Sequence, residues 1–363
     1  METNRTIRAI DLTTEFDEFE ELSVLSFGEG ANPNLSMYRW LFDEDPYDPP
    51  DGNMMFVMRD HDAGGRMIAS DGLIPFDLQL GGRTVKAAHS VKSMTHPDYK
   101  RQGIFRTMTD NSLAQGKAHG VQVVLGFANT NSYPAYQKFG WTTLFDREVY
   151  VFPADITNKA AGMLKSRALA KMANGMFQGI GKLKRPHHRN ALFTVKKYDR
   201  IPADAGAVWE KYRGQYENCI VRDLTYLRWR YDGRPDAKYE TLMLYDGSEP
   251  AGFLVLRKSV ANKKPMICVA ENFTDPQNEE YISALAEAVI DYCFEHKADY
   301  AVACSALYGK YDEVFRRYGF VPGKGQGNVV IVRSLDDSIS EAELAGAQHW
   351  HMSQGDGESE LDL

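Results

Sequence analysis

The chain runs twice through one order of elements, and this recurrence limits the fold more than any other feature of the sequence. In the first half, TIRAI reads as a short strand, and FDEFEELSVLSFG and LSMYRWLF carry helical spacing. A strand meander punctuated by Gly pairs follows, MMFVMRDHDAGGRMIASDGLIPFDLQLGGRTVKAAHSVKSMTHP. Next come a helix over about 104–118, the buried-looking strand VQVVLGFA and the aromatic segment SYPAYQKFGW. The second half repeats the order with strands TLMLYDG, GFLVLRKS and MICVAENF, a helix over about 279–296, the strand YAVACSA and the segment YDEVFRRYGFV. KFGW at 138–141 and RYGF at 317–320 are matching endings, so the expectation is a duplicated α/β unit.

Composition agrees with two units. A chain of 363 residues, 43% apolar and 12% aromatic, is too long for one ordinary core. It has no uninterrupted apolar run of membrane-spanning length, and its start, METNRTIRAIDLTTEF, lacks the shape of a secretory signal. The expectation is a soluble protein of the cytoplasm. Cys219, Cys268, Cys293 and Cys304 sit in mostly apolar settings without CxxC spacing, as reduced core residues do, and no metal site is expected. A net charge of −8 argues against nucleic acid as a partner.

That charge is unevenly spread. Residues 156–200 hold eleven Lys or Arg and one acid, Asp199, whereas the stretch after Arg333 holds eight acids and no Lys or Arg. The expected domains are therefore 1–155, a basic helical linker at 156–195, a second domain at 196–334 and an acidic tail at 335–363. In the linker, Leu164, Ala168, Met172 and Met176 recur every four residues with Lys between them. This pattern suits a helix packed on the domains or one touching anionic lipid.

The chemistry concentrates where the first meander meets its helix. In HSVKSMTHP, strict alternation puts His89, Val91, Ser93 and Thr95 on one face. Pro97 ends the strand, and the chain turns through DYKRQG into the helix. A strand, turn and helix start of this kind aims backbone N–H groups and the positive helix end at one point, which suits an anion. Gly103 permits close approach, and Lys100, Arg101 and Arg106 add charge. The rival reading is a solvated basic helix start with no ligand.

Together, Lys100-Arg-Gln-Gly103-Ile-Phe105 and Asn129…Tyr136-Gln-Lys-Phe-Gly140-Trp141 resemble the two motifs of the Gcn5-related N-acetyltransferase (GNAT) superfamily, in order and spacing, over about residues 1–150. Lys100 stands where Arg is usual and Phe105 where the last residue is usually small. A bulky residue there is similar to the tandem Eis-like branch, without its sterol-carrier-like third domain. The resemblance implies two tandem GNAT-like domains, each a mixed, mostly antiparallel twisted sheet flanked by helices. It implies acetyl-CoA as cosubstrate, bound by Ser93, Met94 and Thr95 on the strand, by Lys100, Arg101, Gln102, Gly103, Ile104, Phe105 and Arg106 at the turn, and by Asn129, Asn131 and Ser132 beyond the next strand. Tyr136 is the implied proton donor to the departing thiolate, since a phenol stays protonated at neutral pH. His89 and the carboxylate of the C-terminal Leu363 are candidates for the base. If Phe105 is compatible with the cradle, its ring faces the core side of the helix.

The second half lacks this chemistry. FTDPQNEEYIS offers Asp275, Glu279 and Glu280 where a phosphate turn belongs, and Phe315 stands in place of Tyr136. The resulting expectation is N-acetyl transfer from acetyl-CoA to a primary amine of a small molecule or a lysine. Alternatives are a non-catalytic acyl-CoA-binding module and an aminoacyl-tRNA-dependent transferase.

Overall fold

A computed structural model describes residues 4–28, 34–50, 52–184, 193–261, 263–304, 308–323 and 329–357. The first stretch of chain forms β1 (Arg5–Ala9), α1 (Phe16–Phe27), α2 (Leu35–Phe42), β2 (Met55–Asp60), β3 (Arg66–Leu80), β4 (Arg83–Thr95), α3 (Ile104–Ala118), β5 (Val123–Ala128), α4 (Tyr133–Lys138) and β6 (Thr142–Asp146). Then come β7 (Val149–Pro153), α5 (Thr157–Leu164), α6 (Arg167–Lys184), β8 (Phe193–Tyr198), α7 (Ala203–Tyr212), β9 (Asn218–Ile220) and α8 (Leu224–Leu227). The rest holds β10 (Tyr239–Asp246), β11 (Glu249–Ala261), β12 (Lys264–Thr274), α9 (Glu279–Glu295), β13 (Tyr300–Cys304), α10 (Tyr311–Arg317), β14 (Val321–Gly323), β15 (Val329–Ser334) and β16 (Trp350–His351).

These elements divide into two compact units. One holds residues 1–145, 233–236 and 329–345; the other holds 146–232, 237–328 and 346–363. The sheet of the first runs β1-β2-β3-β4-β5-β15-β6, and that of the second runs β14-β7-β13-β12-β11-β10-β8. Along these paths each is an antiparallel meander with one parallel step, β4 to β5 and β12 to β13, made by a helical crossover through α3 or α9, and off the first path β9 and β16 pair parallel with each other. The mixed, twisted, duplicated α/β architecture is therefore present.

The units are not the contiguous spans 1–155 and 196–334, however. β15, from late in the chain, pairs antiparallel with β5 in the first sheet. β7, from the end of the first half, pairs antiparallel with β13 and β14 in the second. Residues 156–184 of the basic segment and 346–357 of the acidic tail fall within the second unit.

Local sequence explains the first unit's shape. Gly81 and Gly82 both take positive φ, 53° and 84°, which lets a two-residue turn join the long strands β3 and β4. On α3, Ile104, Met108, Ser112 and Gly116 recur every four residues and are buried. Gly116 is the close approach: a Cβ there would lie 2.8 Å from Leu73 Cδ1 on β3. The core beneath joins Ile68, Leu73, Met108, Val124, Trp141 and Ile331. In the second unit, Tyr150 and Phe152 of β7 join Leu254, Val269, Leu285, Val289 and Phe315. The four cysteines are buried free thiols.

Candidate functional site

The site begins with an irregularity in β4. The register between β3 and β4 shifts between Ser70 and Gly72, and Lys92 takes φ 54°, so β4 carries one extra residue there. β3 holds this bulge by two side chains: Ser70 Oγ donates to the Lys92 carbonyl at 2.8 Å, and Ser93 Oγ donates to Asp71 Oδ1. The extra residue also resets the alternation. Ser90 and Ser93, three apart, point the same way, and their hydroxyls lie 3.3 and 3.1 Å from Tyr136 Oη. The expectation that His89 and Ser93 share a face is thereby corrected. His89, next to Ser90 on regular strand, points oppositely, and its ring lies 4.4 Å from that of Phe76 and 5.3 Å from that of Phe127.

Past the bulge, β4 and β5 part. Their parallel pairing covers Ala87↔Val123 to Ser90↔Gly126, while β4 continues to Thr95 and β5 to Ala128. In the first sheet β4 is bonded to β3 and β5, so from Val91 to Thr95 its side towards β5 is a gap in the pairing. Met94 is itself buried, and Ser93 and Thr95 are half-buried.

The turn after β4 is built by backbone. Pro97–Tyr99 forms a short helical turn, and Arg101 and Gly103 take φ 63° and 80° before α3 starts. Gly103 is the N-cap of α3 and no side chain caps it. The first intrahelical bond is Thr107 N–H to the Gly103 carbonyl, so the N–H groups of Ile104, Phe105 and Arg106 lead the helix. A Cβ on Gly103 would meet nothing within 4 Å. Lys100, Arg101 and Arg106 are exposed around it, although Arg106 also lies 3.4 Å from Asp110. Gln102 is drawn aside, accepting from Arg5 Nη2 at 2.8 Å. An uncapped helix start with three exposed cations around it can take a phosphate or pyrophosphate.

Phe105 is half-buried and packs on the core side, its ring 5.3 Å from that of Tyr136 and 5.5 Å from that of Phe139. Tyr136 is buried between Phe105 and Trp141, whose ring is 4.9 Å away. The motif residues before it have structural duties. Asn129 Oδ1 accepts from the N–H groups of Asn131 and Ser132 at 2.9 and 3.1 Å, and Ser132 Oγ accepts from Asn129 N–H at 3.2 Å. That turn launches α4 and so aims Tyr136 back at β4. Leu363 lies outside the described residues.

Sequence reasoning missed Ser90 and Asp71. Asp71 is fully buried, and burial pushes its carboxyl up to about 6 against the opposing pull of the Ser112 and Ser93 hydroxyls. Its signal was legible: an acid inside the otherwise apolar strand MIASDGLIPF. Asp71, Ser93 and Tyr136 form a chain of hydrogen bonds that ties the phenol to the core.

The second unit answers this geometry differently. β12 also carries an extra residue, opposite Val255 and Leu256, and its pairing with β13 also stops early, at Cys268↔Val302. There the chain's own end fills the place. His351 Nε2 donates to the Asn272 carbonyl at 2.9 Å, and Arg222 lies 3.0 Å from Glu271 and 2.6 Å from Asp356, all buried. Burial, with Arg222 nearby, pushes His351 down to about 3, and burial raises Glu271 to about 7. Among the described residues, no group of three or more metal-ligating side chains occurs, and no helix is long and apolar enough to cross a membrane.

Residues 6–144 match the family model described as an acetyltransferase (GNAT) domain. No curated protein matches the sequence. Among solved structures, a probable N-acyltransferase of Enterococcus faecalis is 12% identical with a TM-score of 0.65, covering 92% of this chain and 73% of its own. A GCN5-related N-acetyltransferase of Kribbella flavida is 16% identical with a TM-score of 0.62, covering 92% and 72%. The N-myristoyltransferase of Saccharomyces cerevisiae with bound myristoyl-CoA is 12% identical with a TM-score of 0.61, covering 94% and 87%. The bulged strand, the uncapped helix start and Tyr136 all lie within a stretch that matches the GNAT acetyltransferase domain, and the chain as a whole shares its fold with N-acyltransferase structures.

Proposed function

We propose that the first unit transfers an acetyl group from acetyl-CoA to a primary amine, of a small molecule or a lysine side chain, by direct attack. One observation carries this reading: the Tyr136 hydroxyl is held by Ser90 and Ser93 at the edge of the gap beside β4, on the same domain as an uncapped helix start fit for pyrophosphate. The presence of bound myristoyl-CoA in the yeast neighbour supports an acyl-CoA as donor. The similar layout of the two sheets supports the tandem Eis-like branch.

The residues present fit the cosubstrate, because α3 starts without a side-chain cap, its leading donors are backbone N–H groups, and Lys100, Arg101 and Arg106 are exposed beside them. Ile104, Phe105 and Arg106 would hold the pyrophosphate by backbone N–H, and Lys100 and Arg101 by charge. The edge of β4 from Val91 to Thr95 would hold the pantetheine amides as an added strand is held. The cosubstrate supplies an acyl thioester whose carbonyl the amine attacks.

Tyr136 then donates its phenolic proton to the leaving sulfur. Ser90 and Ser93 hold the phenol in place, and the phenolate left behind regains its proton from solvent between turnovers. His89, packed between two phenyl rings on the other face of β4, is assigned a packing role, and the amine loses its proton to water.

A polyamine, an aminoglycoside or a lysine-containing peptide fits as acceptor. After α2, Asp45 is buried and Asp48 half-buried, and burial pushes them up to about 8 and 9, with Asp45 and Asp43 adding to the shift of Asp48. An acceptor whose second ammonium reached them would relieve both.

The test has two parts. Acetyl-CoA at saturation is expected to raise the melting temperature, and no stabilisation would overturn the reading. Thiol release across a panel of diamines and monoamines is expected to favour diamines; a bound cosubstrate with no turnover on any amine would instead indicate a binding module.

A further inference from the structure

We infer that α6, with the end of α5, is an interfacial anchor that seats the second unit on an anionic lipid surface. The helix is inside out. Its inward stripe, one residue every four, is Ala170, Asn174 and Gln178. Ala170 is fully buried, Asn174 Oδ1 accepts from Ile156 N–H at 2.9 Å, and Gln178 Nε2 donates to the Ala154 carbonyl at 2.8 Å. The opposite stripe is apolar and faces outward: Leu169, Met172, Met176 and Ile180 are 52%, 68%, 68% and 49% exposed. Met163 and Leu164 of α5 extend it at 77% and 46%. Gly175 and Gly179, beside the stripe, look into open space. A helix that only packed on its own unit would turn the other way, since its apolar face is the one worth removing from water.

Charge selects the occupant. Residues 156–184 hold six Lys or Arg and no acid, and Lys165, Arg167 and Lys171 are exposed around the start of α6. A second copy of the helix would set like charges against each other and offers no acids to pair with them. Anionic lipid answers both features: Met, Leu and Ile enter the acyl boundary while the Lys and Arg heads reach phosphate. The acidic remainder of the chain does not cancel this, because at physiological salt a charge is screened beyond about 8 Å.

The test is sedimentation of the full chain with vesicles of phosphatidylglycerol mixed with phosphatidylcholine, compared with phosphatidylcholine alone. It reads partitioning, so it stands or falls apart from acyl transfer. Binding to the anionic vesicles only, weakened by salt, is expected. Combined Met172→Asp and Met176→Asp should abolish it with unchanged thermal unfolding, since both side chains are exposed. Combined Lys165→Gln, Arg167→Gln and Lys171→Gln should weaken it on the order of 100-fold, about fivefold per charge. The inference is overturned by no binding to anionic vesicles, by equal binding to neutral ones, or by binding that survives the two Met substitutions. It is equally overturned if light scattering finds a dimer that those substitutions dissolve, because the stripe is then a self-interface.

Discussion

β4 and β12 are the same strand built twice, and they differ in what is left beside them. Both carry one extra residue, and both part from their parallel neighbour after a few pairs. Beside β12, the chain's own residues 351–356 bond to the strand and to Arg222. The helix that follows is closed as well: Asn278 Oδ1 accepts from the N–H groups of Glu280 and Tyr281, capping α9, and Glu279 pairs with Arg317. The helix after β4 has Gly103 and no side-chain cap. Tyr136 reaches β4 through a hydroxyl; Phe315, fully buried against Phe320, has none to offer. An open place for a ligand is made here by withholding partners that the sister unit supplies to itself.

The largest expected effect comes from making the first unit like the second. Tyr136→Phe should lower kcat for thiol release by about 10² to 10⁴-fold while acetyl-CoA still raises the melting temperature. A Phe variant as fast as wild type would remove Tyr136 from the chemistry. Arg222→Ala strikes the second unit's closure and leaves Glu271 and Asp356 buried without their cation. Urea unfolding should show a loss of about 3–5 kcal/mol.

Asp71→Asn sharpens the comparison through pH. The folded-state pKa of Asp71 is raised from 3.8 to about 6, so between these values the native state binds more protons than the unfolded chain. Its ionisation therefore costs stability as pH rises through that window. Relative to wild type, the Asn variant should gain on the order of 2 kcal/mol between pH 4 and pH 7.5 in urea melts, following the linkage of about 1.4 kcal/mol per pH unit. A pH-independent difference between the two would place the carboxyl outside the hydrogen-bond chain. The smallest effect is Asn278→Ala: loss of the α9 cap should cost about 1 kcal/mol, with acyl transfer unchanged.

Local features of the molecule were legible in the sequence. The α3 and α9 helices show in their four-residue periodicity, and Tyr136 and Phe315 in the matching aromatic-Gly-aromatic endings. The places of VYVFP and VVIVRS were not legible: each has strand composition, but nothing in either names a partner more than a hundred residues away. Faces along β4 were misread for a different reason. The bulge depends on Lys92 at positive φ, with no Gly or Asn there to announce it, and one extra residue exchanges every face beyond it. Asn129 follows the family pattern, yet its side chain is used by the turn it starts. Trp350 and His351 were unusual for an acidic tail, and both prove to be fully buried.

The position of β15 also bears on how the protein is made. β5 emerges from the ribosome early, yet the strand that covers its far edge is not translated until residue 329. At about 5–20 residues per second, the first sheet waits roughly 10–40 s with VVLGFA exposed along one side. An expression fragment ending at residue 155 would make that wait permanent, and its failure to stay in solution would reflect a missing strand rather than an unstable domain.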